Sequence, residues 1–179
     1  MSDRIIKNLA MVGFMGTGKS TIGWLVAQEL GFEFVDTDHL IERRLGVSIS
    51  DVFAHHGEAV FRKFERAVVL ELESRHNLVI ATGGGLVTNP ENVASLKNHA
   101  LVICLWATPE DIWERVRSHN HRPLLQTAHP LEKIRELLAV REPFYRQADV
   151  LIHTGTRSAR EVTQQVMHHF NMVRHTDGS

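Results

Sequence analysis

Along this chain, short runs that are apolar throughout alternate with longer stretches in which apolar residues return every three or four positions. The short runs suit strands buried on both faces, and the longer pattern suits amphipathic helices. Residues 9–12, 32–35, 78–81, 101–106 and 150–153 read as strands. A helix over 21–30 stops at Gly31, which tolerates the left-handed conformation that ends helices. Residues 39–45 read as a short helix ended by Gly46, and 48–56 as another ended by Gly57. Residues 58–76 form a long amphipathic pattern with Val60, Phe61, Phe64, Val68 and Leu72 near one face. Pro90 and Pro109 sit at first helical positions after Asn89 and Thr108. Ser158-Ala159-Arg160-Glu161 is a capping box opening a last helix that runs to about Asn171. Residues 172–179 are expected to be a flexible tail. Strands alternating with helices predict an α/β fold around a parallel sheet.

A length of 179 residues suits one domain, taken here as 1–171. With 43% hydrophobic and 23% charged residues, disorder and disulfide scaffolds are excluded. A net charge of −1 disfavours nucleic acid as the main partner. No apolar stretch approaches membrane-spanning length, and residues 1–8 lack a signal-peptide core, so a cytoplasmic protein without a membrane partner is expected. A monomer is expected. The single cysteine, Cys104, lies in an apolar run and reads as a buried strand residue rather than a nucleophile. Twelve histidines are present, none with metal spacing, and they read as mostly surface residues.

Chemistry enters at Gly13-Phe14-Met15-Gly16-Thr17-Gly18-Lys19-Ser20, the spacing of a phosphate-cradling P-loop. It falls between the first strand and the first helix. There, unpaired backbone N–H groups and the positive end of the helix dipole face an anion. Gly16, Thr17, Gly18, Lys19, Ser20 and Thr21 are the candidate ATP contacts. Lys19 can reach the β- and γ-phosphates, and the Ser20 hydroxyl can ligate Mg²⁺. The second strand leads into Asp36-Thr37-Asp38. Ligands of open α/β sheets bind at the carboxyl ends of strands, so both carboxylates belong near the P-loop. One can orient Mg²⁺ through water and the other can accept a hydrogen bond from an acceptor hydroxyl. Either also suits a helix cap. No Walker B aspartate follows the third strand, which favours Asp36 for the metal. Instead Gly83-Gly84-Gly85 leaves bare backbone there for close approach to a substrate.

On the long helix, Arg62 and Glu65 are three apart and can meet, so that the carboxylate fixes a guanidinium suited to gripping another carboxylate. Arg141 ends a further helix and can join it. Residues 118–130 are polar, hold two prolines and lack periodicity; they read either as a mobile lid carrying Arg122 or as a plain surface loop.

Taken in order, the P-loop, the Asp36-Thr37-Asp38 triplet, Phe61-Arg62 with Glu65, the triple glycine, Arg122-Pro123-Leu124-Leu125, and Arg141 with Pro143 and Tyr145 resemble the shikimate kinase family over roughly residues 7–170. The resemblance implies a three-layer P-loop NTPase fold of the nucleoside-monophosphate-kinase type with a five-stranded parallel sheet flanked by helices. It implies transfer of the ATP γ-phosphate to the 3-hydroxyl of shikimate, with Mg²⁺ as cofactor. It further implies that Asp38 binds the substrate hydroxyls, that Arg62 and Arg141 clamp its carboxylate, and that Gly84, with Gly83 and Gly85, supplies backbone contact. Arg122 becomes the lid arginine and Arg115 the residue stacked on adenine. Lys19, Asp38 and Arg122 form the catalytic set, with Asp38 left open as base or orienter. Many relatives carry a proline near the adenine after the last strand, where this chain has His153-Thr154-Gly155-Thr156-Arg157; Arg157 is the nearest ATP contact there. Two other readings are a gluconate-type small-molecule kinase and a catalytically silent nucleotide-binding protein.

Overall fold

The computed structural model describes residues 4–119 and 125–176, with side chains described as far as Arg174 at the C-terminal end. Among them, five strands, β1 (Asn8–Val12), β2 (Glu33–Asp36), β3 (Leu78–Ala81), β4 (Ala100–Trp106) and β5 (Val150–His153), make one parallel sheet in the order β2-β3-β1-β4-β5. The helices are α1 (Lys19–Leu30), α2 (Thr37–Leu45), α3 (Ile49–Glu73), α4 (Pro90–His99), α5 (Pro109–Val116), α6 (Pro130–Tyr145) and α7 (Ala159–Thr176).

The two-residue period of an extended chain explains the layers. On β1, Leu9 and Met11 enter one core, and Ala10 and Val12 enter the other. On β4, Leu101, Ile103 and Leu105 join the first, while Val102 and Cys104 join the second. The first core is completed by Val26 of α1 and by Val162, Val166 and Phe170 of α7. Val68 and Leu72 of α3, Leu96 of α4 and Ile134 of α6 complete the second. With helices on both faces, all five residues of β1 are buried, which is why the strands read as apolar runs rather than as alternation. Parallel strands place all their carboxyl ends on one edge; the chain runs from β1 through α1 past β3 to β2 on one side, and from β3 through α4 across β1 to β4 on the other. A crevice opens at such a reversal, and the P-loop follows β1 there. Burial pushes the Cys104 thiol up to about 12, so it is inert packing.

Several boundaries differ from the periodicity. Asp36 is both the last residue of β2 and the N-cap of α2, its side chain accepting from the Asp38 and His39 amides, so α2 starts at Thr37 rather than at His39. The break expected at Gly57 is present: α3 is two helical halves that meet at that glycine, non-helical at φ 79°, ψ 170°. α3 ends at Glu73, short of His76, and the Ser74 hydroxyl donates to the Glu71 carbonyl at 2.9 Å to close it. α7 continues a turn beyond Asn171, because the Arg174 guanidinium covers the rings of Phe32 and Phe170 at 5.7 and 5.6 Å.

The described histidines are mostly surface residues, as expected; His99 is the exception, at 3% exposed. Asn8 Nδ2 donates to the Arg75 carbonyl and meets His99 Nδ1, each at 2.8 Å, while Asn8 Oδ1 accepts from Leu78 N at 2.9 Å. That network fixes the amide orientation, makes Nδ1 the acceptor and puts the ring proton on Nε2. Burial lowers the His99 pKa from 6.5; Glu73 opposes the shift and Lys7 adds to it. The unfolded chain therefore takes up this proton at higher pH than the folded one, and His99 contributes less stability as pH falls through 6.5. Urea unfolding of wild type and His99→Asn is expected to show a larger stability gap near pH 7.5 than near about pH 5.5. A gap that grows on acidification contradicts the buried neutral tautomer.

Candidate active site

The phosphate cradle is built at the end of β1. Gly18 caps α1 at φ 101°, a left-handed conformation that turns the first amides of the helix outward. Thr17 Oγ1 donates to the Phe14 carbonyl at 2.8 Å and closes the loop on itself. Lys19 curls back over it, with Nζ donating to the carbonyls of Gly13 at 2.7 Å and Phe14 at 2.9 Å. Ser20 Oγ donates to Asp36 Oδ2 at 2.8 Å. Asp36 thus divides its two oxygens, Oδ1 capping α2 and Oδ2 facing Ser20. A cavity of about 390 Å³ opens over Gly18, Lys19, Ser20, Thr21, Asp36 and Asp38.

A second cavity, about 290 Å³, extends beside Gly16, Thr17, Thr21, Arg115, Thr154 and Arg157. Arg115, on α5, donates to the Gly16 carbonyl at 3.0 Å and to the Thr154 carbonyl at 2.8 Å. Buried Thr154 donates to the Thr17 carbonyl at 3.0 Å, so the turn after β5 is tied to the P-loop. Arg157 donates to the His153 carbonyl at 3.0 Å and to Gln165 Oε1 at 3.2 Å.

The third cavity, about 440 Å³, brings together Asp38, Arg62, Glu65, Arg141 and Gly83-Gly84-Gly85, with Met15, Phe53 and Phe61 as apolar wall. Each glycine faces one charged group. A Cβ at Gly83 would lie 2.5 Å from Asp38 Oδ1, one at Gly84 3.4 Å from Arg141 Nη1, and one at Gly85 2.5 Å from Arg62 Nη2. The strip is bare because the charges pack directly on main chain. Arg62 Nη1 donates to Glu65 Oε2 at 2.6 Å, and Arg62 Nη2 to Glu58 Oε1 at 3.0 Å. Burial works against the Arg62 charge, but these two carboxylates outweigh it and its pKa is raised. Burial also raises Glu65, with Arg62 pulling it back and Asp38 adding to the rise. With the contact this short and Arg62 held protonated, the pair is ionic. The Arg141 guanidinium lies over the Phe14 ring at 5.5 Å.

Asp38 is pushed up to about 6 by burial and by neighbouring Asp36, against the pull of Lys19. Its Oδ1 and Glu65 Oε1 are buried without a hydrogen-bond partner among the described residues. Both residues line the cavity of about 440 Å³, whose size suits a small polyhydroxylated ligand.

All the site residues expected from sequence line these three cavities except Arg122, which with the centre of the 118–130 segment lies outside the described residues. Glu58 escaped notice although it stands one helical turn from Arg62, a spacing that could have revealed it. Thr154 and Thr37, whose Oγ1 accepts from Gly83 N at 3.0 Å, gave no local signal.

A sequence model of the shikimate kinase family matches residues 15–171. The chain belongs to that family. It is 46% identical over 162 residues to the shikimate kinase of Caldanaerobacter subterraneus subsp. tengcongensis, covering 90% of this chain and 95% of the relative. Its fold superposes on the shikimate kinase of Acinetobacter baumannii in complex with shikimate, with a TM-score of 0.88 and 40% identity over 93% of this chain and 94% of that one. The architecture is the three-layer P-loop fold of the nucleoside-monophosphate-kinase type. A gluconokinase from Sinorhizobium meliloti, at TM-score 0.55 and 14% identity over 91% of this chain and 90% of that one, shares the fold alone.

The raised Asp38 pKa has a consequence for stability. A carboxyl raised above its ordinary 3.8 favours the fold below that value, and the benefit is lost as pH rises through about 6. Asp38→Asn is therefore expected to be more stable than wild type near about pH 8, with the advantage shrinking as pH falls toward about 4. Paired thermal melts across that range check it; equal stability at all pH values contradicts it.

Proposed function

We infer that this chain is an ATP-dependent shikimate kinase, transferring the γ-phosphate of ATP to the 3-hydroxyl of shikimate to give shikimate 3-phosphate and ADP in the chorismate route to aromatic amino acids. One observation carries this reading: the phosphate cavity and the arginine-lined cavity share Met15, Asp38, Glu42, Gly83 and Gly84, so an anion cradle and a carboxylate grip open into one cleft.

Phosphoryl transfer asks for alignment and charge neutralisation more than for covalent help. Gly16, Thr17, Gly18 and Thr21 hold the ATP phosphates by backbone and hydroxyl donors, and Lys19 neutralises the β- and γ-oxygens. Arg115 and Arg157 meet the adenine side. Arg62 and Arg141 bind the shikimate carboxylate, and Glu65 keeps Arg62 in its orientation. Asp38 Oδ1 accepts the acceptor hydroxyl's hydrogen bond. With a pKa of about 6, Asp38 is ionised at neutral pH and suited to take that proton as the phosphoryl group arrives. Arg122, outside the described residues, is assigned the part of lid arginine, whose closure on the phosphates would exclude water. The hard oxygen atoms of Ser20 and Asp36, 2.8 Å apart, fit Mg²⁺: these two residues would hold the ion, and it would supply neutralisation of the phosphate charge. As part of the same reading, the enzyme is a cytoplasmic monomer without nucleic-acid or membrane partners.

A coupled assay of ADP release is expected to show turnover with shikimate and Mg²⁺, and none with gluconate or without acceptor. Lys19→Ala is expected to abolish turnover. Arg62→Ala is expected to raise the shikimate KM by an amount equivalent to about 2–5 kcal/mol, as for a buried charge pair that loses one partner. Preference for gluconate, or a wild-type shikimate KM in Arg62→Ala, overturns the assignment.

A further inference from the structure

Tyr145, the last residue of α6, lies outside the set of ligand-contacting residues named above, yet its ring is only 2% exposed and its hydroxyl donates to the Gly84 carbonyl at 2.6 Å. It stands one helical turn from Arg141, on the same face of α6. Burial pushes the phenol up to about 12, while the charge of the neighbouring Arg141 guanidinium opposes the rise. Arg141 packs against the Gly84 backbone and the Phe14 ring, and Tyr145 holds that same Gly84 peptide through its carbonyl.

The neighbouring glycines are also held from behind by hydroxyls. Gly83 N donates to Thr37 Oγ1 at 3.0 Å, and Thr88 Oγ1 donates to the Gly85 carbonyl at 2.7 Å. Tyr145 differs from these two because it stands beside a cavity arginine. Its ring serves the core, and a phenylalanine would fill that role equally well; the hydroxyl is what the position adds.

We propose that Tyr145 is a positioning residue for acceptor binding, its hydroxyl fixing the Gly84 peptide and the Arg141 guanidinium relative to each other so that Arg141 meets the acceptor carboxylate in one orientation. The inference rests on the reading of Arg141 as part of the carboxylate grip. It predicts an effect on acceptor affinity that passes through Arg141 and spares ATP.

The test is a double-mutant cycle with Tyr145→Phe, which keeps the ring and removes one hydrogen bond, and Arg141→Ala. Alone, Tyr145→Phe is expected to raise the shikimate KM roughly threefold to tenfold, the worth of one buried hydrogen bond. The kcat and the ATP KM are expected to stay within about twofold, and in the Arg141→Ala background the same change is expected to move the shikimate KM less than about twofold. KM does not depend on the amount of folded enzyme, so a partial loss of yield leaves the comparison intact. An unchanged shikimate KM in Tyr145→Phe, an equal shift in both backgrounds, or a parallel loss of ATP affinity each overturns the proposal. If Arg141→Ala itself leaves the shikimate KM unchanged, the carboxylate grip fails. If it raises KM while Tyr145→Phe does not, only the role of Tyr145 fails.

Discussion

Direct packing of charged side chains on bare main chain, at residues 83–85, is the constraint on which the acceptor side of the cleft depends. Asp38, Arg141 and Arg62 come from α2, α6 and α3, and the glycine strip after β3 is where these helices' charges converge. A β-carbon on Gly83 or Gly85 would occupy space now held by a carboxylate or a guanidinium. The neighbouring charges are balanced in alternation: Lys19 faces Asp38, and Glu65 with Glu58 faces Arg62. Balance is incomplete by design of the cavity, since two carboxylate oxygens remain buried without partners among the described residues. Such orphaned acceptors cost the fold stability.

The sheet supplies the frame for that convergence. Because β1, β2 and β3 are parallel and adjacent through β3, their carboxyl ends deliver the P-loop, Asp36 with Asp38, and the glycine strip to one edge. Arg115 and Thr154 then bind the far side of the cradle to α5 and to the end of β5. The cradle is thus held from both halves of the sheet, and its shape is set before any ligand enters.

Features encoded locally were legible in the sequence. The P-loop is a contiguous pattern, the strands are apolar because both of their faces are covered, and the Arg62–Glu65 pair follows from helical spacing. What depended on tertiary approach was not legible. Three glycines announce close packing, but only the fold says that each faces a different charged group. The cap reading and the metal-orienting reading of Asp36 looked like alternatives, but Oδ1 caps α2 while Oδ2 remains turned to Ser20. The burial of His99, the exception among mostly surface histidines, was not legible because an asparagine from another element supplies its partner. The end of α7 was placed too early because Arg174 packs against Phe32, a residue far away in sequence.

Arg62 is seated on a bare Gly85, and the acceptor grip inferred above depends on that seat. Calorimetric titration of shikimate into Gly85→Ala measures it most directly. The predicted result is an affinity for shikimate weakened about tenfold or more, with ATP affinity and melting temperature close to wild type. Shikimate bound by Gly85→Ala as tightly as by wild type would contradict the account.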